Sequence, residues 1–203
     1  MSDSFLVAAN ARSADASCGT STPPPIDVAR ELKSRGNVHF QRKEWESAIL
    51  CYTGAIDTVV NEDSTDPPSE AATFYANRAA CHAKLNEHSD VIDDCTAALG
   101  LQPDYAKAML RRALAREALE QPTEALEDAK KALELDSTSK EAAAAVPRLE
   151  RASAAKLEKQ KEEMMGQLKT LGNSFLSNFG LSTDNFKADK DPTTGSYNIS
   201  FQK

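Results

Sequence analysis

The chain has 203 residues, with 31 Asp and Glu against 24 Lys and Arg for a net charge of −7, and is 27% charged, 40% hydrophobic and 6% aromatic. That length allows one or two domains with a real core, and plentiful Ala, Leu, Glu and Lys favour helix over sheet. The acidic balance argues against a nucleic-acid binder, and no stretch approaches the roughly 20 apolar residues of a membrane span.

Residues 1–25 are rich in Ser, Ala and Thr and end in Pro23, Pro24 and Pro25; they offer little to bury and read as a disordered segment. Their start lacks the basic stretch and apolar run of a secretory leader, so a cytoplasmic setting is expected. Cys18, Cys51, Cys81 and Cys95 form no CxxC pair, and His39, His82 and His88 do not join them at metal-ligand spacing. The cysteines in helical patterns are expected to be packing thiols, and no metal or cofactor is expected.

From Ile26 the apolar spacing becomes helical, with entry at Pro25 or Asp27. LKSRGN (32–37), YANRAA (75–80) and MLRRAL (109–114) then align without gaps on Gly36, Ala79 and Ala113. Downstream, SAILCYTGAI (47–56), DVIDDCTAAL (90–99) and EALEDAKKAL (124–133) align on Ala48, Val91 and Ala125 and again on Ala55, Ala98 and Ala132. The second interval is 34 residues and the first 43, which puts nine extra residues in or near NEDSTDPPS (61–69). Two helices per repeat follow, with small residues where the helices of a pair approach each other. One such pair cannot hide its apolar faces, so the copies must stack.

Beyond the third repeat, SKEAAAAV (139–146) opens another helix, which Pro147 either kinks or restarts. Leu149 and Leu157 are followed by Met164, Leu168, Leu171 and Phe175 at spacings of four, three and four, and the open end of the stack is the expected partner of that stripe. Trp45, Tyr52 and Phe40 read as packing residues. In the tail, Tyr197, Ile199 and Phe201 alternate with polar residues as in a strand, and this segment either stays flexible or folds back on the repeats.

The 34-residue helical pair with this small-residue pattern resembles the tetratricopeptide repeat over residues 27–137. The resemblance implies an all-α fold: an α-solenoid of three helix-turn-helix repeats (26–137), a C-terminal capping or extended helix (138–180) and an extended or flexible tail (181–203). In such an array the first helix of each repeat lines the concave face. Lys33 and Asn37 are one turn apart on the first of these helices, Asn77 lies on the second, and Lys107 and Arg111 are one turn apart on the third. That set is similar to the dicarboxylate clamp of co-chaperone members of the family. There it grips the terminal Asp of chaperone tails ending Glu-Glu-Val-Asp, by both its side chain and its main-chain carboxylate.

Carried over, Lys33, Asn37 and Asn77 take the terminal carboxylate, while Lys107 and Arg111 take side-chain and neighbouring oxygens. Arg suits a carboxylate by its fork, Lys as a point charge and Asn through its NH2. Val38, His39, Asn86 and Ala108 or Arg112 are expected to shape neighbouring pockets. The implied partners are tails of the seventy- and ninety-kilodalton heat-shock chaperones, with a signalling protein such as a GTPase as a second partner. The alternative is a scaffold whose groove takes internal or other acidic peptides, or the chain's own tail. No nucleophile–base constellation, phosphate loop or paired-carboxylate pocket is legible, so no enzymatic activity is expected.

Overall fold

The structure, a computed structural model, describes residues 24–60, 70–190 and 196–201. The N-terminal segment up to residue 23 and the expected nine-residue insertion at 61–69 lie outside the described residues. Six helices form three successive pairs: α1 (Pro25–Gln41) with α2 (Trp45–Val60), α3 (Ala71–Leu85) with α4 (His88–Leu101), and α5 (Ala106–Ala118) with α6 (Pro122–Leu135). A long α7 (Lys140–Ser177), a 3-10 turn (Thr183–Asn185) and strands β1 (Phe186–Lys190) and β2 (Tyr197–Phe201) complete the described chain. Each of the first seven helices packs on its neighbours in sequence, and α3 also touches α5, so the fold is an α-solenoid.

Pro25 and Pro122 sit in the first turns of α1 and α6, where a missing N–H costs nothing. Within each pair the chain reverses through one left-handed residue: Lys43 (φ 62°), Asn86 (φ 61°) and Glu120 (φ 57°). The next amide then closes on the carbonyl five residues back, Glu44 on His39, Glu87 on His82 and Gln121 on Arg116, at 2.9–3.0 Å. The three turns share one geometry although only Asn86 is a residue that favours it.

The small residues do what the alignment requires. Ala55, Ala79, Ala98, Ala113 and Ala132 are buried at the helix crossings. At Gly36 the demand is strictest, since a Cβ there would lie 2.7 Å from Tyr52 Cε1. Trp45 meets Phe40 edge-on at 5.0 Å, and Cys81 and Cys95 are buried while Cys51 is half-buried.

A ladder of buried ion pairs also follows the repeat. Arg78 donates to Asp94 from Nε (2.9 Å) and Nη2 (2.6 Å), and to Thr53 Oγ1 from Nη1 (2.9 Å). One repeat later Arg112 donates to Asp128 (2.8 and 2.7 Å) and to Thr96 Oγ1 (3.1 Å), and Arg116 adds a 2.7 Å contact to the same carboxylate. Each rung thus ties three helices of two successive repeats. In the first repeat Cys51 stands where Asp94 and Asp128 stand in the others, and Arg35, the counterpart of Arg78, turns outward to Glu31.

α7 starts under a Ser139 cap, whose Oγ accepts from the Ala142 amide at 3.3 Å. Ala142, Ala145 and Leu149 are buried and close the stack against α6. Pro147 lies exposed within one continuous helix rather than opening a new one. The expectation that Met164, Leu168, Leu171 and Phe175 pack on the open end of the stack is overturned, because their exposures are 62–69%. Leu149 has already filled that end, and α7 runs on past it; among the described residues the last hydrogen bond to the stack is Lys156 Nζ to the Glu120 carbonyl. The strand expected at Tyr197–Phe201 is present, but it pairs antiparallel with β1, Phe186 opposite Phe201, and not with the repeats. The all-α solenoid therefore carries a small hairpin.

Candidate functional site: a groove along the first helices of the repeats

A groove of about 600 Å3 opens along α1, α3 and α5, walled by Phe40, Ala80, Lys84, Leu110, Leu114, Lys107 and Arg111, with Asp136, Ser139 and Glu141 at the α7 end. The lining mixes apolar side chains with Lys84, Lys107, Arg111, Asp136 and Glu141, a combination suited to an extended peptide with an ionic end. Ala80 and Leu114 occupy the register of Asn37 in the later repeats, so Asn37 belongs to the same face by repeat symmetry.

Of the five sequence-predicted donors, Lys107 and Arg111 line the groove itself, and Lys33, Asn37 and Asn77 stand outside that volume. Two of the five, Lys33 and Arg111, lie against α3. Lys33 Nζ lies 5.9 Å from the centre of the Phe74 ring, and Phe74 is three residues before Asn77 on the same helix face. Arg111 Nη1 donates to the carbonyl of Ala76, next to Asn77, at 2.7 Å. This bond holds one arm of the guanidinium against α3. Asn37 Oδ1 accepts from the Tyr52 hydroxyl at 2.8 Å, which leaves its NH2 as the outward donor.

Counter-charges are distributed unevenly around these cations. Arg30 is consumed by Glu70, with Nε and Nη2 at 2.9 and 2.6 Å, and by Asp27. The Arg30 guanidinium, with a smaller contribution from Lys33, holds the Glu70 carboxyl below its usual range. At the other end the Asp136 carboxyl is also held low, chiefly by the Thr138 hydroxyl and amide and in small part by Lys107. Burial pushes the Tyr52 hydroxyl up to about 12, so it remains a donor toward Asn37 at neutral pH.

The neighbouring positions expected to shape pockets divide differently. Val38 is exposed, and His39 Nδ1 is 2.6 Å from Glu44 Oε2 beside the first turn. Ala108 is fully buried in the core, Arg112 is committed to Asp128, and Asn86 is the left-handed turn residue. His82, Glu87 and Asp90 form a group compact enough for an ion. The His82–Glu87 contact at 2.6 Å repeats His39–Glu44, and this shared turn geometry accounts for it without a metal.

Sequence reasoning missed the Arg–Asp rungs and the Tyr52–Asn37 bond. The signal was present, since Arg and Asp recur sixteen residues apart at matching positions of repeats two and three. On a single helix, however, each looks like one more solvated charge.

No family model matches the sequence. Sperm-associated antigen 1A of Danio rerio is 42% identical over 122 residues, covering 60% of this chain and 27% of that protein. The chain spans 16–42% of the length of the first curated relatives it matches. Among solved structures, the first TPR of Spaghetti (RPAP3) bound to the HSP90 peptide SRMEEVD is 30% identical, with a TM-score of 0.57, covering 64% of this chain and 95% of that one. The second TPR domain of human RPAP3, in complex with the HSP70 peptide SGPTIEEVD, is 32% identical, with a TM-score of 0.54, covering 62% of this chain and 98% of that one. With three stacked helical pairs and this similarity across nearly the whole of those domains, the chain belongs to the tetratricopeptide-repeat domain family.

Proposed function

We propose that the groove binds the C-terminal Glu-Glu-Val-Asp tail of seventy- and ninety-kilodalton heat-shock chaperones, and that the protein is a cytoplasmic adaptor joining them to a further partner, such as a signalling GTPase. It performs no chemistry of its own. In this reading Lys33, Asn37 and Asn77 hold the terminal carboxylate, and Lys107 and Arg111 hold the side-chain and neighbouring oxygens. The observation that carries it is the similarity to solved domains bound to peptides ending EEVD. Lys33 and Arg111, both set against α3, support it chemically. The ending of the chain, from EEMMGQLKTLGNSFLSNFGLSTDNF to TGSYNISF, resembles that of tetratricopeptide repeat protein 1, and the finer kinship is proposed on that ground.

The test is calorimetric titration with a free-acid EEVD peptide. Partly buried charge-assisted contacts are worth about 1.5–3 kcal/mol each, so Lys33→Ala or Arg111→Ala is expected to abolish micromolar binding. A C-terminally amidated peptide, which loses one carboxylate, is expected to bind far more weakly. Unchanged affinity in either variant, or for the amide, refutes the clamp.

A further inference from the structure

The distal half of α7 carries a heptad stripe that nothing in the described chain covers. Leu157, Met164 and Leu171 recur every seven residues, with Leu168 and Phe175 between them at the complementary positions, which is the a/d pattern of a coiled coil. Their exposures run from 57% to 69%. At about 100° per residue this stripe is rotated by roughly a quarter turn from the Ala142–Ala145–Leu149 face that packs on α6, so it does not continue the capping surface. The 3-10 turn covers another side, with Lys169 Nζ 2.6 Å from Asp184 and the Thr183 amide and hydroxyl bonded to Asn173 Oδ1.

With Met165 and Phe179 included, the exposed apolar area is on the order of 1,000 Å2, against about 300–600 Å2 for the largest patch on a typical monomer. Charge also vanishes along this stretch. From Met164 to Phe179 the one charged residue is Lys169, which is turned to Asp184. A charged partner would find nothing to pair with, whereas an identical stripe would fit.

We propose that two copies of this chain associate through the distal α7 stripes as an antiparallel, two-fold coiled coil. Direction follows from the heptad. Centred between Leu168 and Leu171, an antiparallel pair sets Leu168 against the other copy's Leu171 and Met164 against its Phe175. Lys161, the one cation within the stripe, then faces Asn178; a parallel pair would set Lys161 against its own copy. Burying the four core positions Met164, Leu168, Leu171 and Phe175 of both copies removes on the order of 1,000 Å2, at the lower bound for a specific interface. The clamp residues are on α1, α3 and α5, so this pairing stands or falls independently of the groove.

Light scattering on the size-exclusion-separated full chain is expected to give twice the 22.0 kDa chain mass at high micromolar concentration. Leu168→Glu/Leu171→Glu is expected to return the monomer with helical content and EEVD-peptide affinity intact. Lys159→Glu, on the opposite side of α7, is expected to stay dimeric. Mixing Met164→Cys chains with Phe175→Cys chains is expected to give a disulfide-linked pair that neither forms alone. A monomeric wild-type chain overturns the proposal, including one that instead floats with phosphatidylserine vesicles. So does a dimer that survives the double glutamate change, or crosslinking by either cysteine variant alone.

Discussion

Tyr52 donates its hydroxyl to Asn37 Oδ1 at 2.8 Å while its ring lies against the bare backbone of Gly36, where a Cβ would come to 2.7 Å. A packing residue of α2 thus fixes a polar residue on α1, and the adjacent glycine makes the approach possible. Gly36→Ala is expected to cost about 1–3 kcal/mol through overpacking against a ring that has no room to retreat, read as a lower midpoint in urea. Tyr52→Phe keeps the ring and loses only the bond. It is expected to weaken EEVD-peptide binding about 3- to 10-fold, the worth of one hydrogen bond of about 0.5–1.5 kcal/mol, measured by calorimetry.

The two rungs of the ion-pair ladder should respond unequally to loss of an arginine. Asp94 is buried with Arg78 as its close partner, and His82 Nε2 is farther off at 3.8 Å. Asp128 has both Arg112 and Arg116. Arg78→Met is therefore expected to cost about 3–5 kcal/mol, as for a buried charge left unpaired, and Arg112→Met clearly less. Chemical denaturation of the two variants checks the order.

Burial pushes the Cys81 thiol up to about 11 and the Cys95 thiol up to about 12. Since the thiolate is the reactive form, maleimide is expected to label half-buried Cys51 in a Cys18→Ser background and to reach Cys81 and Cys95 only after unfolding. Mass spectrometry of the labelled peptides reads this directly.

The same burial predicts alkaline instability. Tyr52, Cys81 and Cys95 all have folded-state values raised above their ordinary ones. The folded chain holds these protons more tightly than the unfolded chain, so the stability they contribute is complete below about pH 9 and is lost as pH climbs toward about 12. Thermal midpoints across that range should fall, and Tyr52→Phe should lessen the slope near its upper end.

Much of this architecture is legible in the residues. The recurrence of Gly36, Ala79 and Ala113, at intervals of 43 and 34 residues, reports helix crossings because only small side chains fit there. The donors of α1 and α5 show themselves by their one-turn spacing. Met164–Phe175 was legible as an apolar face, but periodicity says that a face wants cover and never which surface supplies it, so its assignment to the stack end failed. β1 escaped notice because FKADK offers one large apolar residue, and its strand character comes from pairing with Tyr197–Phe201. Arg78 and Arg112 escaped because a buried charge is distinguished from a solvated one only by the partner sixteen residues away.

The substitution of Cys51 for the aspartate found in the later repeats has a thermodynamic consequence. Within the three repeats, α1 and α2 can separate from the array without stripping a buried carboxylate of its arginine, so local opening of the repeats is expected to begin at this end and their amide exchange to be fastest there. Lys33 and Asn37 ride on that same loosely anchored segment. A tail gripped by them would splint the weakest of the three repeats, and protection of the α1 amides would rise with occupancy.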